Sequence, residues 1–300
     1  MINRAYYILP FLFAFQILGL NPMHAQTKVY VVSQNIIKSI DWKPGMILLI
    51  NAERAEIFCS ANTSDSIEVK VTITAKHETK KKAEADIEKM KCLNELKGKK
   101  VFLRNYIELS KNDSRPESDI KVVYNIKVPE NCAVDISNYF GTIDVKNLNS
   151  KLNINSEFSK IDLGNINGKI SVKSTFGDIS ANTVNGELQI ESNRSDIDIS
   201  NFLGILDIKS KMAQIELNKI DDITEIKIDA EKSKIKINTV DFKNIFFDLD
   251  LYKVELDKPE AMKLNFSKNE KETVSASFNS GKSFPQINIK LNIGTLSIEP

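Results

Sequence analysis

The sequence predicts a mainly β protein: a parallel β-helix, or β-solenoid, with about 18 residues per coil, capped at its N-terminal side by a strand-rich segment that carries one α-helix. Three observations predict it. One 18-residue phrase recurs in KLNINSEFSKIDLGNING (151–168), KISVKSTFGDISANTVNG (169–186) and ELQIESNRSDIDISNFLG (187–204), with apolar residues at phrase positions 2, 4, 11 and 13 and further ones usually at 8 and 16. Gly168, Gly186 and Gly204 share position 18, where a tight corner needs a positive φ, and Ser156, Ser174, Ser192 and Ser210 share position 6. Beta-branched residues dominate the apolar set, as strands require. A fixed period of this kind marks a stack in which each unit buries its apolar face only against its neighbours.

Composition narrows the function classes. The chain is 42% hydrophobic and 27% charged, with 41 basic against 40 acidic residues. Nucleic acid or an anionic membrane surface calls for a clustered basic excess, and the balance argues against both. Residues 1–25 are set apart from the fold. Arg4 supplies a positive start, AYYILPFLFAFQILGL an apolar run, and Met23-His24-Ala25 a small-residue exit, so a signal peptide cleaved after Ala25 is expected. A retained anchor fits Pro10, Gln16 and Pro22 poorly, and no membrane span is expected after cleavage. The expected location is outside the cytoplasm: periplasmic, cell-surface or secreted.

Along 26–129, the strand-rich cap, Val29–Ser33 opens a strand and Trp42-Lys43-Pro44-Gly45 carries a turn signal. Met46–Asn51 and Ala55–Cys59 read as short strands, and Ile67, Val69, Val71 and Ile73 alternate with polar residues. The Lys/Glu/Ala-rich stretch 78–96 reads as one amphipathic helix, with Ala83, Ile87 and Met90 at helical spacing and Gly98 as its stop. Lys80, Lys81 and Lys82 read as its solvated face. Strands follow at Val101–Leu109 and at Ile120–Val128, the latter the strongest alternation in the chain. Cys59 and Cys92 could pair if the helix packs there; three free thiols, with Cys132, are the alternative.

From 130 to 300 the repeats run in register. The first, Ala133–Ser150, keeps Val134, Ile136, Phe140, Ile143, Val145 and Leu148; the fifth keeps Leu206, Ile208, Met212, Ile215, Leu217 and Ile220. Ile223 and Thr224 are extra before the sixth (Ile226, Ile228, Ile235, Ile237, Val240). The seventh is assigned Ile245, Phe247, Leu251, Val254 and Leu256. An insertion at about 262–285 precedes a last unit with Ile287, Ile289, Ile293, Leu296 and Ile298, and the insertion and last unit are expected to close the far end. Phe140, Phe158 and Phe176 are expected to stack in the core, with the corner opening where Arg194 and Lys232 replace them.

The order of a WKPG turn, VKVTITAK, a Lys/Glu helix and YNIKVPENCAVDISNYFGTIDV with trailing F-G-T-I, F-G-D-I and N-G-K-I phrases resembles bacterial exported adhesin-like proteins of the domain-of-unknown-function 4097 type (DUF4097), related to the head-domain GIN adhesins. The resemblance covers nearly the whole chain after residue 25. It implies a β-helix with an adhesin-like role, and it implies no catalytic residues.

Function is weakly written in the residues. Position 12 stacks Asp144, Asp162, Asp198, Glu216 and Glu255, a candidate cation or glycan strip or an acid pair for glycoside cleavage, against the plainer reading of a solvated face relieved by Lys160, Lys234 and Lys253. Tyr139 is an outward aromatic that could touch a partner. Asp144, Asp162, Asp198, Glu216 and Tyr139 are therefore the candidate interaction surface. Calcium-binding rolls need a denser Gly/Asp pattern, no Cys/His spacing suits zinc, and no nucleophile or nucleotide motif occurs, so no metal, cofactor or catalytic residue is expected. The expectation is a non-enzymatic interaction or adhesion module whose partner is a protein or glycan at the cell envelope. A polysaccharide-acting enzyme and an envelope-stress or regulatory partner protein are the rivals. Enzymes of the first kind build a cleft from long loops, and the first five repeats have none.

Overall fold

Apolar–polar alternation recurs through most of the chain after the N-terminal segment, and the backbone answers with one continuous sheet. The computed structural model describes residues 28–299 apart from 112, 221–222, 240–241 and 280–284. The expected signal peptide, 1–25, lies outside the described residues. Among the described residues no helix is long and apolar enough to cross a membrane.

The N-terminal part comprises β1 (Tyr30–Asp41), β2 (Ile47–Asn62), β3 (Ser66–His77), α1 (Lys80–Ile87), β4 (Met90–Lys97), β5 (Lys100–Ile107) and β6 (Asp119–Pro129). Strand β2 is the hinge between two kinds of pairing. One edge pairs in parallel with β5 over Ile47–Asn51 and with β6 over Ala55–Asn62. Beyond them the pairing turns antiparallel, β6 to β3 to β1 and β5 to β4.

The helix is shorter than the composition of 78–96 predicts. It ends at Ile87, and Met90–Lys97 is instead β4, laid antiparallel on β5 from Met90↔Ile107 to Lys97↔Lys100. Gly98 (φ 60°) turns this hairpin rather than stopping a helix. Helix propensity amounts to only tenths of a kcal/mol per residue, so a free sheet edge beside the stretch overrides it. Of the basic run, Lys80 pairs with Glu84 and Lys82 with Glu117, a solvated face as expected. Cys59, Cys92 and Cys132 are free thiols, and burial pushes that of Cys59 up to about 12.

The repeats supply β7 (Ala133–Lys146), β8 (Leu152–Thr175), β9 (Ile179–Asn193), β10 (Ile197–Lys211), β11 (Gln214–Asn218), β12 (Ile223–Asn238), β13 (Phe246–Asp257), β14 (Asn265–Asn269), β15 (Thr273–Phe278) and β16 (Gln286–Glu299). Strands β7 to β10 pair in parallel at a constant offset of 18 residues: Ile143 faces Ile161, Ile161 faces Ile179, and Ile179 faces Ile197. The same inward column continues through Ile215 and Ile235 to Leu296, and in the other direction to Ile57 and Tyr124. These side chains are almost fully buried. Mostly isoleucine, they stack at strand spacing into one column of a core that is many strands long.

Strand β2 thus extends the stack on its N-terminal side, although it stands 86 residues before its partner (Ile47↔Ala133). The far end departs from expectation. The last strand does not close the stack: β16 lies between β12 and β13, parallel to both. Strand β13 packs outside it, and the insertion forms the antiparallel pair β14–β15 on β13. The seventh repeat also sits two residues out of its expected register. Phe247 and Leu249 face Ile287 and Ile289, so Ile245 precedes the strand, and Glu255 faces Thr295 outside the acidic column. Its apolar residues fit either frame by sequence; pairing with β16 decides between them.

Candidate interaction surface

Within each repeat the inward positions switch from even to odd. Leu152, Ile154 and Ser156 (positions 2, 4 and 6) are buried, then Ser159, Ile161 and Leu163 (positions 9, 11 and 13). One residue must step out of the alternation, and it is the one at position 8. Phe140, Phe158, Phe176, Arg194, Met212 and Lys232 all take the left-handed conformation, φ 51–67°, as do Arg54 on β2 and Ile293 on β16. The following residue then turns inward with almost no room. A Cβ on Gly141 or Gly177 would lie 2.0 Å from the carbonyl oxygen of Ala55 or Ser159 on the neighbouring strand, and Ser159, Ser195, Ala213 and Ser233 fill the column elsewhere.

This bend overturns the expected phenylalanine core. Phe140, Phe158 and Phe176 project from the corner and are 43%, 37% and 41% exposed. Their rings stack on one another, 4.8 Å apart at 11° and 5.0 Å apart at 2°. Arg194 does not open the corner; it keeps the same bend and lays its guanidinium over Phe176 at 5.2 Å. Met212 and Ile293 are exposed in the same column. The even-to-odd switch, with a small residue (Gly, Ser or Ala) after position 8 in the first six repeats, is the sequence signal that marks this corner.

Tyr139, at position 7, joins the stripe. It is 42% exposed and sits perpendicular to both Phe140 and Phe158, at 5.1 and 5.6 Å and 86° in each case. A ring close and perpendicular to both members of a stacked pair lies beside the stack, receiving their edges on one face.

The acidic candidates lie apart from Tyr139, on the second arm of the repeat. Asp144 faces Asp162, and Asp198 faces Glu216. Lysines of the same strands neutralise the first pair: Lys146 reaches Asp144 at 2.8 Å and Lys160 reaches Asp162 at 3.1 Å. The hydrogen bond from Lys146 to Asp144 raises the lysine's pKa. Asn218 donates to Asp198 at 3.4 Å, and Asn238 to Glu216 at 3.5 Å. Among the described residues no three His, Cys, Asp or Glu side chains are grouped to hold a metal.

The serine row at position 6 is buried and internally bonded over part of its length. Ser174 Oγ donates to the Gly177 carbonyl at 3.3 Å, and Ser192 to Ser210 at 2.9 Å. Asn138 takes the place of serine in the first repeat, and its amide donates to Ala55 O at 3.1 Å and Phe140 O at 3.2 Å.

No protein-family model matches the chain, and no curated protein does. Solved structures similar to it include a proposed cell-adhesion protein of Clostridium sporogenes, 13% identical, with a TM-score of 0.30 over 89% of this chain and 99% of that one. A proposed adhesin of Bacteroides fragilis is 12% identical, TM-score 0.38, over 89% and 96%. A proposed lipid-binding protein of Parabacteroides distasonis is 12% identical, TM-score 0.28, over 88% and 93%.

Proposed function

We propose that the chain is an exported, non-enzymatic β-solenoid of 18-residue coils that acts as an adhesion or interaction module at the cell envelope. It engages its partner through the corner stripe that runs from Tyr139 and Phe140 to Met212. The observation that carries this reading is a contrast between two corners of the same repeat. Position 15 also takes the left-handed conformation, and there the residues are polar: Asn147, Asn165, Thr183, Asn201 and Lys219. The backbone therefore does not require large apolar side chains at such a bend. At position 8 three stacked phenylalanines and a methionine are nevertheless held in water, and contiguous exposed apolar surface on a folded chain marks an interaction site.

The acidic column is arranged unfavourably for glycoside cleavage. Lysines engage Asp144 and Asp162, and the two acids sit side by side on one flat ladder rather than facing each other across a cleft.

Beads carrying the chain, incubated with bacterial cells and with extracellular-matrix proteins, test the proposal. A triple variant Phe140→Ser, Phe158→Ser, Phe176→Ser is expected to lower retention about tenfold or more, with Asp162→Asn unchanged. Undiminished retention of the triple variant would sink the assignment. So would reducing-sugar release from a polysaccharide that disappears in Asp144→Asn or Asp162→Asn, which would make the protein an enzyme.

A further inference from the structure

Strand β1 ends the sheet: among the described residues it pairs with β3 on one side and with no strand on the other. Its twelve residues follow β3 without a bulge, from Tyr30↔His77 to Asp41↔Ser66. It carries no proline and one lysine, Lys38, whose ammonium is tied to the Asn94 carbonyl of β4 at 2.6 Å. The opposite end of the sheet is guarded. Strand β14 has five residues, its register with β15 breaks between Phe266 and Lys268, and Lys268 lies 3.3 Å from Glu270. Short length and bulges are devices that keep an open edge from pairing, and β1 has neither. Its outward row also holds Val31 and Ile37, 59% and 77% exposed, the two most exposed large apolar side chains among the described residues.

We infer that this edge is a self-association surface: a second copy of the chain adds its own β1, antiparallel, about a two-fold axis at Gln34. The strand is a palindrome of character about that residue, VVSQNII over 31–37. In this register Val31 meets the partner's Ile37 on the outward face, and Val32 meets the partner's Ile36 on the inward face. Ser33 meets the partner's Asn35, so apolar pairs with apolar and polar with polar. Tyr30 meets the partner's Lys38, an aromatic ring beside an ammonium. Each of these pairs occurs twice, as a self-complementary interface requires. Slipping the register by two residues destroys the match. One slip sets Val32 against Lys38 and Ser33 against Ile37; the other sets Lys28 against Lys38 and Val31 against Asn35. Gln34 and Lys38 are exposed, so the centre of the edge is open to approach. The inference does not rest on the corner stripe. Other strands carry that stripe, and a dimer presents it twice, which strengthens weak contacts by avidity.

The test is sedimentation velocity on the chain after residue 25, with no N-terminal tag, from low to high micromolar concentration. A reversible dimer is expected. Ile37→Lys is expected to raise its dissociation constant about tenfold or more, because it sets a lysine against Val31 twice. The double variant Val31→Glu, Ile37→Lys is expected to restore the dimer, since the register sets the two positions face to face. Under mild oxidation Gln34→Cys is expected to cross-link two copies and Ser39→Cys is not. Opposed Cα atoms of an antiparallel pair lie about 4.5–5.5 Å apart, within disulfide reach, whereas the two Ser39 positions lie about 34 Å apart. Positions 31, 34, 37 and 39 are exposed, so every variant is expected to keep the wild-type circular-dichroism spectrum. A monomer at every concentration overturns the inference. So does a dimer that ignores Ile37→Lys, one that the double variant does not restore, or equal cross-linking at 34 and 39. The triple phenylalanine variant is expected to dimerise as the wild type does; if it does not, the interface lies at the corner and the assignment to β1 falls.

Discussion

Phe158 and Phe176, 18 residues apart in the chain, stack 5.0 Å apart with their planes 2° from parallel, and both rings stand in water. A stack on the outside of a corner contributes to stability differently from one in the core. Each aromatic pair adds about 0.5–1.5 kcal/mol, and Phe158 has three such neighbours, Phe140 and Phe176 stacked on it and Tyr139 edge-on. The rings are half in water, which holds each pair near the low end, and Phe158→Ala is expected to cost about 1–2 kcal/mol in urea unfolding. Ile161→Ala, at a fully buried position three residues on, is expected to cost about 2–5 kcal/mol. If Phe158→Ala costs as much as Ile161→Ala, the ring is packed in the core after all.

Gly186 has φ 127°, and a Cβ there would lie 2.3 Å from the carbonyl oxygen of Gly168 in the preceding repeat. Both the conformation and the close approach exclude a side chain. Gly186→Ala is expected to destabilise by roughly 1–3 kcal/mol through forced separation of two strands. Thermal melting of this variant beside Gly98→Ala separates the two causes, because nothing lies within 4 Å of a Cβ on Gly98 and only its φ of 60° is strained. Equal losses would mean that the close approach contributes nothing.

The position of β16 makes the C-terminus internal to the sheet. Ile287, Ile289, Leu291, Leu296 and Ile298 are buried between β12 and β13. Their burial amounts to a gross ~7–15 kcal/mol, comparable to the whole net stability of a typical domain. Deleting residues 286–300 is expected to abolish a cooperative melt and yield dye-binding, protease-sensitive material, since two new sheet edges are bared at once. Were β16 merely a terminal strand, the truncated chain would still melt cooperatively at a modestly lower temperature.

Asp86 is a fully buried carboxylate that latches the loop before β6. It accepts hydrogen bonds from Glu117 N at 2.9 Å, Ser118 N at 3.0 Å and Ser118 Oγ at 2.8 Å, and Lys89 lies 3.3 Å away. Burial alone would raise its pKa, but the donors from Ser118, Glu117 and Lys89 together outweigh it and lower it to about 2. A depressed carboxylate stabilises the fold above its unfolded-state pKa, near 4, and that contribution fades as pH falls toward 2. Stability of the wild type is expected to drop across this window more steeply than that of Asp86→Asn, which starts lower at neutral pH. Amide exchange at Glu117 and Ser118 should accelerate in the same window; parallel acid limbs for both proteins would contradict the latch.

Strand positions were legible wherever a repeat kept its apolar residues two apart, because one-sided burial demands that spacing. The inward column through Ile161, Ile179 and Ile197 follows from it directly. The corner misleads because Phe158 continues the even-numbered run of Leu152 and Ile154, and hydrophobicity alone places it inside. Only the odd-numbered Ile161 and Leu163 betray the phase change, and the left-handed bend that makes it is a backbone property. The helix over 78–96 misled in the opposite sense: Lys, Glu and Ala favour helix weakly, and the edge of β5 settled the matter. Tyr139 was legible as exposed; its contacts with Phe140 and Phe158 were not, since they depend on the left-handed bend that turns the phenylalanines outward.

By itself the sequence determined the 18-residue period, the strands that carry it, the glycine corner and the exposure of Tyr139. These depend on local alternation and on residues a fixed distance apart, which a linear text displays. Only the tertiary structure decided that β2 extends the stack from 86 residues away, that β16 slips between β12 and β13, and that the phenylalanines face outward. Backbone hydrogen bonds carry no side-chain identity, so any well-patterned strand can serve as any other's neighbour. The order of the stack follows from which edges remain open as the core closes, and the chain does not spell that out.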